Sequence, residues 1–323
     1  MSEKIKYLDI DEQIEHLIKK GLIITDKETA KSYLGRIGYY KLINGYRSPF
    51  TYKINYTLAY YENTSIDDLY HLYCFDQDLK GLLLKNISHI EIMVKSRMSD
   101  VISQNYGINE DDYLNPNNFK PDNQNANLKS FNDIREDIMN TITKQSTKHN
   151  SIKWYTEKYG YHPFWIVSNI LTLGTISLLY SKMKQPDQYK ISNWFKLKSK
   201  FFESLLMIMQ LFRNACAHNE IVYNYKTLCS LSQNDIHEIY DLYKIEKNNK
   251  TGKYINGTND VFAIIIIFKL LLTKDQFSDF LSQLNLLLDK LKQQVDEQKY
   301  KSILLNMGIV NSLDIIKEWQ PNN

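Results

Sequence analysis

Residues 65–107 read SIDDLYHLYCFDQDLKGLLLKNISHIEIMVKSRMSDVISQNYG and carry the longest helical repeat in the chain. Ser65, followed three positions later by Asp68, resembles a capping box, the reciprocal side-chain exchange that opens many helices. Apolar residues then recur every three or four positions, as one buried helix face requires: Leu69, Leu72, Leu79, Leu83, Ile87, Ile90, Val94 and Val101. The pattern predicts one very long helix, or two in series, ending near Gly107.

Helix-breaking residues are sparse in the whole chain, with 11 glycines and 6 prolines among 323 residues. Because no strand alternation of useful length stands out, we predict an all-α fold. Thr273 and Gln276 predict a further capping box. We expect a small helical N-terminal module over residues 1–60 and a helical domain over residues 61–323. A polar insertion near residues 109–150 interrupts the second part, and its Asn-rich and Asp-rich start predicts a loop.

The composition is that of an ordinary soluble protein, with 43% hydrophobic and 24% charged residues. A net charge of +3 neither indicates nor excludes a nucleic-acid partner, because a local patch can bind phosphate without a basic total. The abundant lysines and tyrosines follow a general Lys, Asn, Ile and Tyr bias and are weak evidence for RNA binding. The arginines are scarce and more informative, since arginine is needed where a planar charged fork matters: Arg36, Arg47, Arg97, Arg135 and Arg213.

Cysteine usage and the chain's first residues indicate a cytoplasmic protein. The 3 cysteines have no metal-type spacing, and an odd number fits reduced thiols. Residues 1–4 lack the apolar stretch of a signal peptide. The most apolar run, residues 261–272, is too short to span a bilayer and contains Lys269, so it predicts a buried core helix. We therefore expect no membrane contact, no metal ion and no cofactor.

Residues 199–223 predict a second informative helix, which carries the candidate site. One of its faces is apolar at helical spacing: Phe201, Leu205, Ile208, Phe212 and Cys216. Arg213 and His218 are five positions apart and diverge onto opposite flanks of that face, whereas Asn214 lies on the side of His218. One chain alone does not obviously form a compact site. Two copies of the helix meeting across a symmetry axis would bring Arg and His together.

These three residue types suit metal-free RNA cleavage. The reaction needs a base for the 2′-hydroxyl, an acid for the leaving 5′-oxygen and a cation for the growing phosphate charge. Histidine serves as base or acid because its ordinary pKa is ~6.5. Arginine binds phosphate oxygens in a bidentate way, and asparagine can orient an imidazole. The spacing by itself is not specific, because Arg213 pairing with an acid and His218 as a satisfied interior histidine would give the same pattern.

The segment Arg213-Asn214-Ala215-Cys216-Ala217-His218-Asn219 resembles the R-N-x-x-x-H motif of HEPN ribonucleases. More narrowly, it resembles the R-N-x-C-A-H segment of the Abi-like abortive-infection family. RIGYYKL at residues 36–42 and PFW at residues 163–165 are similar to other words of that family. Further similar segments are residues 11–24, 45–50, 72–76, 90–92, 173–175 and 307–308, and Trp319. The resemblance spans nearly the whole chain.

The resemblance implies an all-helical HEPN core and a homodimer whose interface holds the active groove. It also implies metal-independent endoribonuclease activity that halts growth after phage infection. Carried over by position, Arg213 and His218 are the catalytic pair, Asn214 supports them, and Asn219 and Asn224 are weaker supporting candidates. The segment Glu220-Ile221-Val222-Tyr223 departs from many relatives, which have a basic residue there, and this puts substrate grip or turnover in doubt.

Other residues are weaker candidates for the same function. Asp76 and Glu91 would hold the Arg or His, or else pair within the core. The N-terminal module offers a candidate RNA contact, including for a regulatory noncoding RNA, unless it serves packing alone: Lys31, Arg36, Lys41 and Arg47. The alternative function is a catalytically inactive HEPN-type RNA-binding or scaffold protein in a defence or toxin–antitoxin system.

Overall fold

The computed structural model describes residues 7–55, 57–122, 129–231, 247–250, 252, 254–310 and 313. Helices dominate these residues, which confirms the predicted all-α class, and the sheet described among them has two strands. The first helices are α1 (Ile10–Lys19), α2 (Lys27–Ile37), α3 (Ile66–Tyr106), α4 (Glu110–Tyr113), α5 (Phe131–Gln145), α6 (Asn150–Tyr159) and α7 (Phe164–Val167). They are followed by α8 (Leu173–Lys182), α9 (Gln185–Trp194), α10 (Ser199–Ala217), α11 (Val261–Leu271), α12 (Lys274–Gln294) and α13 (Glu297–Asn306).

The long helical repeat forms one uninterrupted helix, α3. Of the two predicted alternatives, one long helix or two in series, the first is confirmed. Ser65 and Asp68 form both halves of the capping box, and Gly107 ends the helix with a positive φ of 91°. Helices α7, α9, α10 and α12 pack along α3 and bury its apolar face. Helix α3 is therefore the axis on which the other elements are placed.

The candidate helix α10 is shorter than predicted, because it ends at Ala217 and not near Tyr223. Asn219 adopts the left-handed conformation with φ 57°. The N–H of Asn219 donates to the carbonyl of Cys216 (3.2 Å), and the N–H of Glu220 donates to that of Ala215 (2.8 Å). This pair of bonds is a Schellman motif, which satisfies the last helical carbonyls and turns the chain away from the helix axis. His218 consequently lies at the very end of α10.

The N-terminal module is not purely helical as predicted, since it includes a β-hairpin. Strand β1 (Thr51–Ile54) pairs antiparallel with β2 (Thr57–Tyr60), with Thr51 opposite Tyr60. The β-branched and aromatic residues of this stretch favour strands, but each strand is only 4 residues long. A short π-helix, Tyr40–Asn44, precedes the hairpin. Leu17, Leu42 and Phe50 of the module join the same continuous core as α3.

The insertion near residues 109–150 is more structured than its polar composition predicts. Helix α5 buries one face at helical spacing: Phe131, Ile134, Ile138 and Ile142. Phe119 stacks on Phe131 with ring centroids 4.0 Å apart, and α5 packs against α8. The prediction of a loop at the start of the insertion, residues 109–127, is wrong for the helix α4 and for Tyr113, Leu114 and Phe119, which are buried. Its last part, residues 123–127, lies outside the described residues.

The most apolar run, residues 261–272, forms α11, whose residues from Val261 to Phe268 are all buried in the core. This confirms the predicted core helix. None of the described helices combines the length and the hydropathy that crossing a membrane requires. The predicted capping box at Thr273 and Gln276 is present at the start of α12.

Candidate functional site

The last turns of α10 bring the motif residues to the surface of the molecule. His218 is the C-cap of the helix and is exposed, whereas Arg213 and Asn214 are half-buried. Asn214 lies one turn before His218, and its carbonyl accepts the N–H of His218 at 2.9 Å. Helical geometry separates the directions of Arg213 and His218 by about 140°. The guanidinium of Arg213 contacts the amide oxygen of Asn214 at 3.5 Å, the limit of a hydrogen bond.

A partly exposed stripe runs along α10 to the motif. Met207, Leu211, Asn214 and His218 follow each other at spacings of three or four residues, and each is exposed or half-buried. The opposite face of α10 is fully buried against α3 and α8. The stripe is therefore a surface on which two apolar side chains precede the candidate polar residues.

Asp76 anchors the chain that follows His218. Its side chain is fully buried, and one carboxylate oxygen accepts the backbone N–H groups of Val222 (2.9 Å) and Tyr223 (2.7 Å). The other oxygen accepts the hydroxyl of Tyr46 (2.8 Å) and pairs with the ammonium of Lys80 (2.9 Å). A buried carboxylate is tolerated only when it is paired and fully hydrogen-bonded, and these four partners meet that requirement. Asp76 thus holds backbone, and not the imidazole of His218.

Asn219 is fixed by two lysines from different parts of the chain. The ammonium of Lys80 donates to its side-chain oxygen at 2.9 Å, and the ammonium of Lys41 donates to its backbone carbonyl. Because Asn219 also adopts the left-handed turn after α10, these contacts define the direction in which the chain leaves the helix. Asn224, the other weak candidate, is half-buried in the turn just after Tyr223.

The electrostatic effect of the buried carboxylate extends to its neighbours. Burial, together with the negative charge of Asp76, raises the pKa of the Cys216 thiol to about 12. The same two causes, burial first, raise the pKa of the Tyr46 and Tyr223 hydroxyls. These groups stay protonated at neutral pH, so the thiol of Cys216 is not poised to act as a nucleophile.

Glu91 lies in a different region from Asp76. It comes fifteen positions later on α3, which is about 22 Å along the helix axis. Its carboxylate pairs with Lys95 at 2.7 Å, and Lys95 also donates to the carbonyl of Leu171 at 2.7 Å. Glu91 and Lys95 line a cavity of about 470 Å³ beside Trp165. The two carboxylates that the sequence nominated therefore lie in separate regions of one chain.

The four nominated cations of the N-terminal module are dispersed. Lys31 pairs with Asp11 (2.9 Å) and Glu28 (3.3 Å). Arg36 is exposed in the last turn of α2, and Arg47 is half-buried where the 3₁₀ turn before the hairpin begins. Of the four, Lys41 is the one whose described contacts reach the segment after His218.

Lys80 is a residue that sequence reasoning missed. It is only 4% exposed and joins Asp76 to Asn219. Its position four residues after Asp76 on a helix was a usable signal, because opposite charges at that spacing face each other. The contact with Asn219 had no such signal, since it joins residues distant in the chain.

The segment presents an imidazole at the surface, with a guanidinium and an amide half-buried beside it on the same helix. Among the residues with described positions, no group of three His, Cys, Asp or Glu side chains is placed to hold a metal ion. A family model described as "Abi-like protein" matches residues 32–224 of this chain. No curated protein and no solved structure shows significant similarity to it. The matched range contains Asp76, Lys80 and the whole segment from Arg213 to Asn224.

Proposed function

The chain belongs to the Abi-like protein family, and from this premise we propose that it is an anti-phage effector that cuts RNA without a metal ion. The family supports a role in abortive infection. In the proposed reaction, the imidazole of His218 moves the protons and the guanidinium of Arg213 stabilises the charge on the phosphate. Asn214 orients one or the other. Two chains pair to form the site, so that Arg213 of one chain faces His218 of its partner.

One observation carries the proposal: His218 is exposed at the end of α10, and the residues that follow it are fixed by hydrogen bonds to buried side chains. A general acid or base must be both accessible and positioned. Asp76 and Lys80 supply the positioning through Val222, Tyr223 and Asn219, as described above. An interior, hydrogen-bonded histidine was the alternative to a functional one, and the exposure of His218 speaks against it.

The proposed pairing of two chains has support of its own. The divergence of Arg213 and His218 on one helix leaves neither able to face the other within a protomer. The exposed stripe with Met207 and Leu211 leads to His218 and offers apolar area for a symmetric contact.

The test is RNA cleavage in the presence of a metal chelator by purified wild type, Arg213→Ala and His218→Ala. We expect wild type to cut and each variant to lose about 100- to 10,000-fold in rate. Arg135→Ala and His16→Ala are matched controls on helices outside the site and should keep wild-type rates.

Equal rates in the two site variants and wild type would show that the site is wrong. If wild type binds RNA tightly but never cuts it under any trigger, the chain is instead an inactive RNA-binding or scaffold protein.

A further inference from the structure

The five residues that follow His218 include no cation. Residues 219–223 are Asn, Glu, Ile, Val and Tyr. Two ammonium groups nevertheless reach this segment from other elements, because Lys41 and Lys80 both donate to Asn219. A residue adjacent to the candidate histidine is thus the meeting point of two positive charges.

The two lysines differ in what they can still bind. Lys80 is buried and committed to Asp76 and Asn219, so it has no access to an incoming anion. Lys41 is half-buried, and its contact with the carbonyl of Asn219 lies at the surface. An ammonium has three N–H donors, and this contact uses one of them.

The position of Lys41 is fixed by the element that carries it. The short π-helix Tyr40–Asn44 lies so close to the segment that a Cβ on Gly45 would stand 2.7 Å from Cδ1 of Ile221. Tyr46, just after it, stacks on Tyr223 with ring centroids 6.0 Å apart and donates its hydroxyl to Asp76. These contacts fix the backbone that carries Lys41 next to the end of α10, within reach of its ammonium.

We propose that Lys41 is a substrate-binding residue of the His218 site, whose ammonium binds an RNA phosphate neighbouring the one that is cut. This inference rests on the proposed function and names a contact that the N-terminal module supplies to it. Asp76, Lys80 and Asn219 are positioning residues, because their hydrogen bonds keep Lys41 next to the end of α10. Lysine suits this task because it binds phosphate as a compact point charge on a flexible stem.

The charges around Lys41 act on a bound phosphate in both directions. Burial, and next the charge of Lys80, lower the pKa of Lys41, while Asp76 and Glu220 act in the opposite direction. An anion bound at this point would offset the unfavourable contribution of Lys80. Glu220 is exposed, and its carboxylate would repel the same anion.

The experiment measures binding of a labelled single-stranded RNA by fluorescence anisotropy at several salt concentrations, in a His218→Ala background that cannot cut. Lys41→Gln should weaken binding about tenfold and lower the slope of log K against log salt by about 0.7, the loss of one phosphate contact. Lys41→Arg should restore the slope, because it restores the charge. Lys53→Gln is the matched control, an exposed lysine on β1 of the same module, and should bind as its parent does.

A second variant keeps the test independent of folding at position 41. Glu220→Gln, which removes an exposed carboxylate, should tighten RNA binding about two- to fivefold at low salt. If Lys41→Gln keeps the parental affinity and slope, or if Glu220→Gln leaves the affinity unchanged, Lys41 is not a phosphate contact.

The outcome is distinguishable from failure of the proposed function. A wild type that never cuts RNA, combined with the loss of slope in Lys41→Gln, refutes the nuclease and retains the phosphate contact. A wild type that cuts RNA, combined with an unchanged slope, refutes only the contact. A chain that binds no RNA in any of these variants refutes both.

Discussion

At the scale of single residues, Asp76 shows how a charge on an apolar helix face becomes useful. The sequence marks it as a charge on the buried face of α3, where it needs a partner. The structure gives it four, and two of these are backbone N–H groups of the segment that follows His218. Asp76 therefore pairs within the core, and its backbone contacts also fix the segment that follows His218, although it binds neither Arg213 nor His218.

Asp76→Ala should lower the free energy of unfolding by about 3–5 kcal/mol, because it leaves the buried ammonium of Lys80 unpaired and two N–H groups unsatisfied. Asp78→Ala is the matched control, since Asp78 is an exposed carboxylate on the same helix. Its only described ion pair is a long one, with the ammonium of Lys290 at 3.9 Å. The control should change stability by less than about 0.5 kcal/mol. Urea unfolding measures both, and equal losses would contradict the anchoring role.

At the scale of elements, the end of α10 is the feature that periodicity could not place. The apolar spacing continues past His218, so a pattern of amphipathic positions extends the helix to Tyr223. The helix ends in the Schellman motif at Asn219, and two tertiary competitors hold the chain beyond it. Asp76 binds the N–H groups of Val222 and Tyr223, and Lys80 binds Asn219. Neither competitor is near α10 in sequence.

Substitutions on either side of this boundary should act with opposite sign. At position 219, glycine should be tolerated better than alanine by about 1 kcal/mol, because only the left-handed conformation fits there. At position 217, the last helical residue, Ala217→Gly should destabilise by about 0.5–1 kcal/mol. Chemical denaturation of the three variants checks the signs. A preference for alanine at both positions would mean that the helix continues through residue 219.

Other elements were readable to different degrees. Capping boxes at Ser65 and Thr273 are local, so their three-residue spacing was enough to find them. Helix α5 has apolar residues at helical spacing, but it lies in an insertion rich in Asn and Asp. The polar composition therefore predicted less structure than the insertion has. The hairpin at residues 51–60 has strands too short for alternation to stand out.

At the scale of the whole molecule, the proposed site requires two chains, and mixing inactive variants tests this directly. Arg213→Ala and His218→Ala are each expected to be inactive as homodimers. After subunit exchange, half of the dimers are mixed, and each mixed dimer has one site with both an intact Arg and an intact His from opposite chains. The mixture should therefore recover about a quarter of wild-type cleavage.

The matched control mixes Arg213→Ala with the double variant Arg213→Ala/His218→Ala, in which no intact pair can form. If the first mixture is as inactive as this control, although a tag on one variant co-purifies the other and so shows mixed dimers, each site lies within one chain. If wild type is monomeric at concentrations where it cuts RNA, the dimeric site is likewise contradicted.

The amino-acid sequence alone determined the local and periodic features of this protein: the helical class, the axis helix α3, its caps, and the position of the Arg213–Asn214–His218 segment on a helix. Such features depend on neighbours within a few positions, and a linear pattern records them. Tertiary structure alone decided that Asp76 binds the backbone after α10, that Asp76 and Glu91 lie in separate regions, and that Lys41 and Lys80 converge on Asn219. Those outcomes come from competition among distant partners for the same buried backbone and charge, and no local pattern encodes which partner wins.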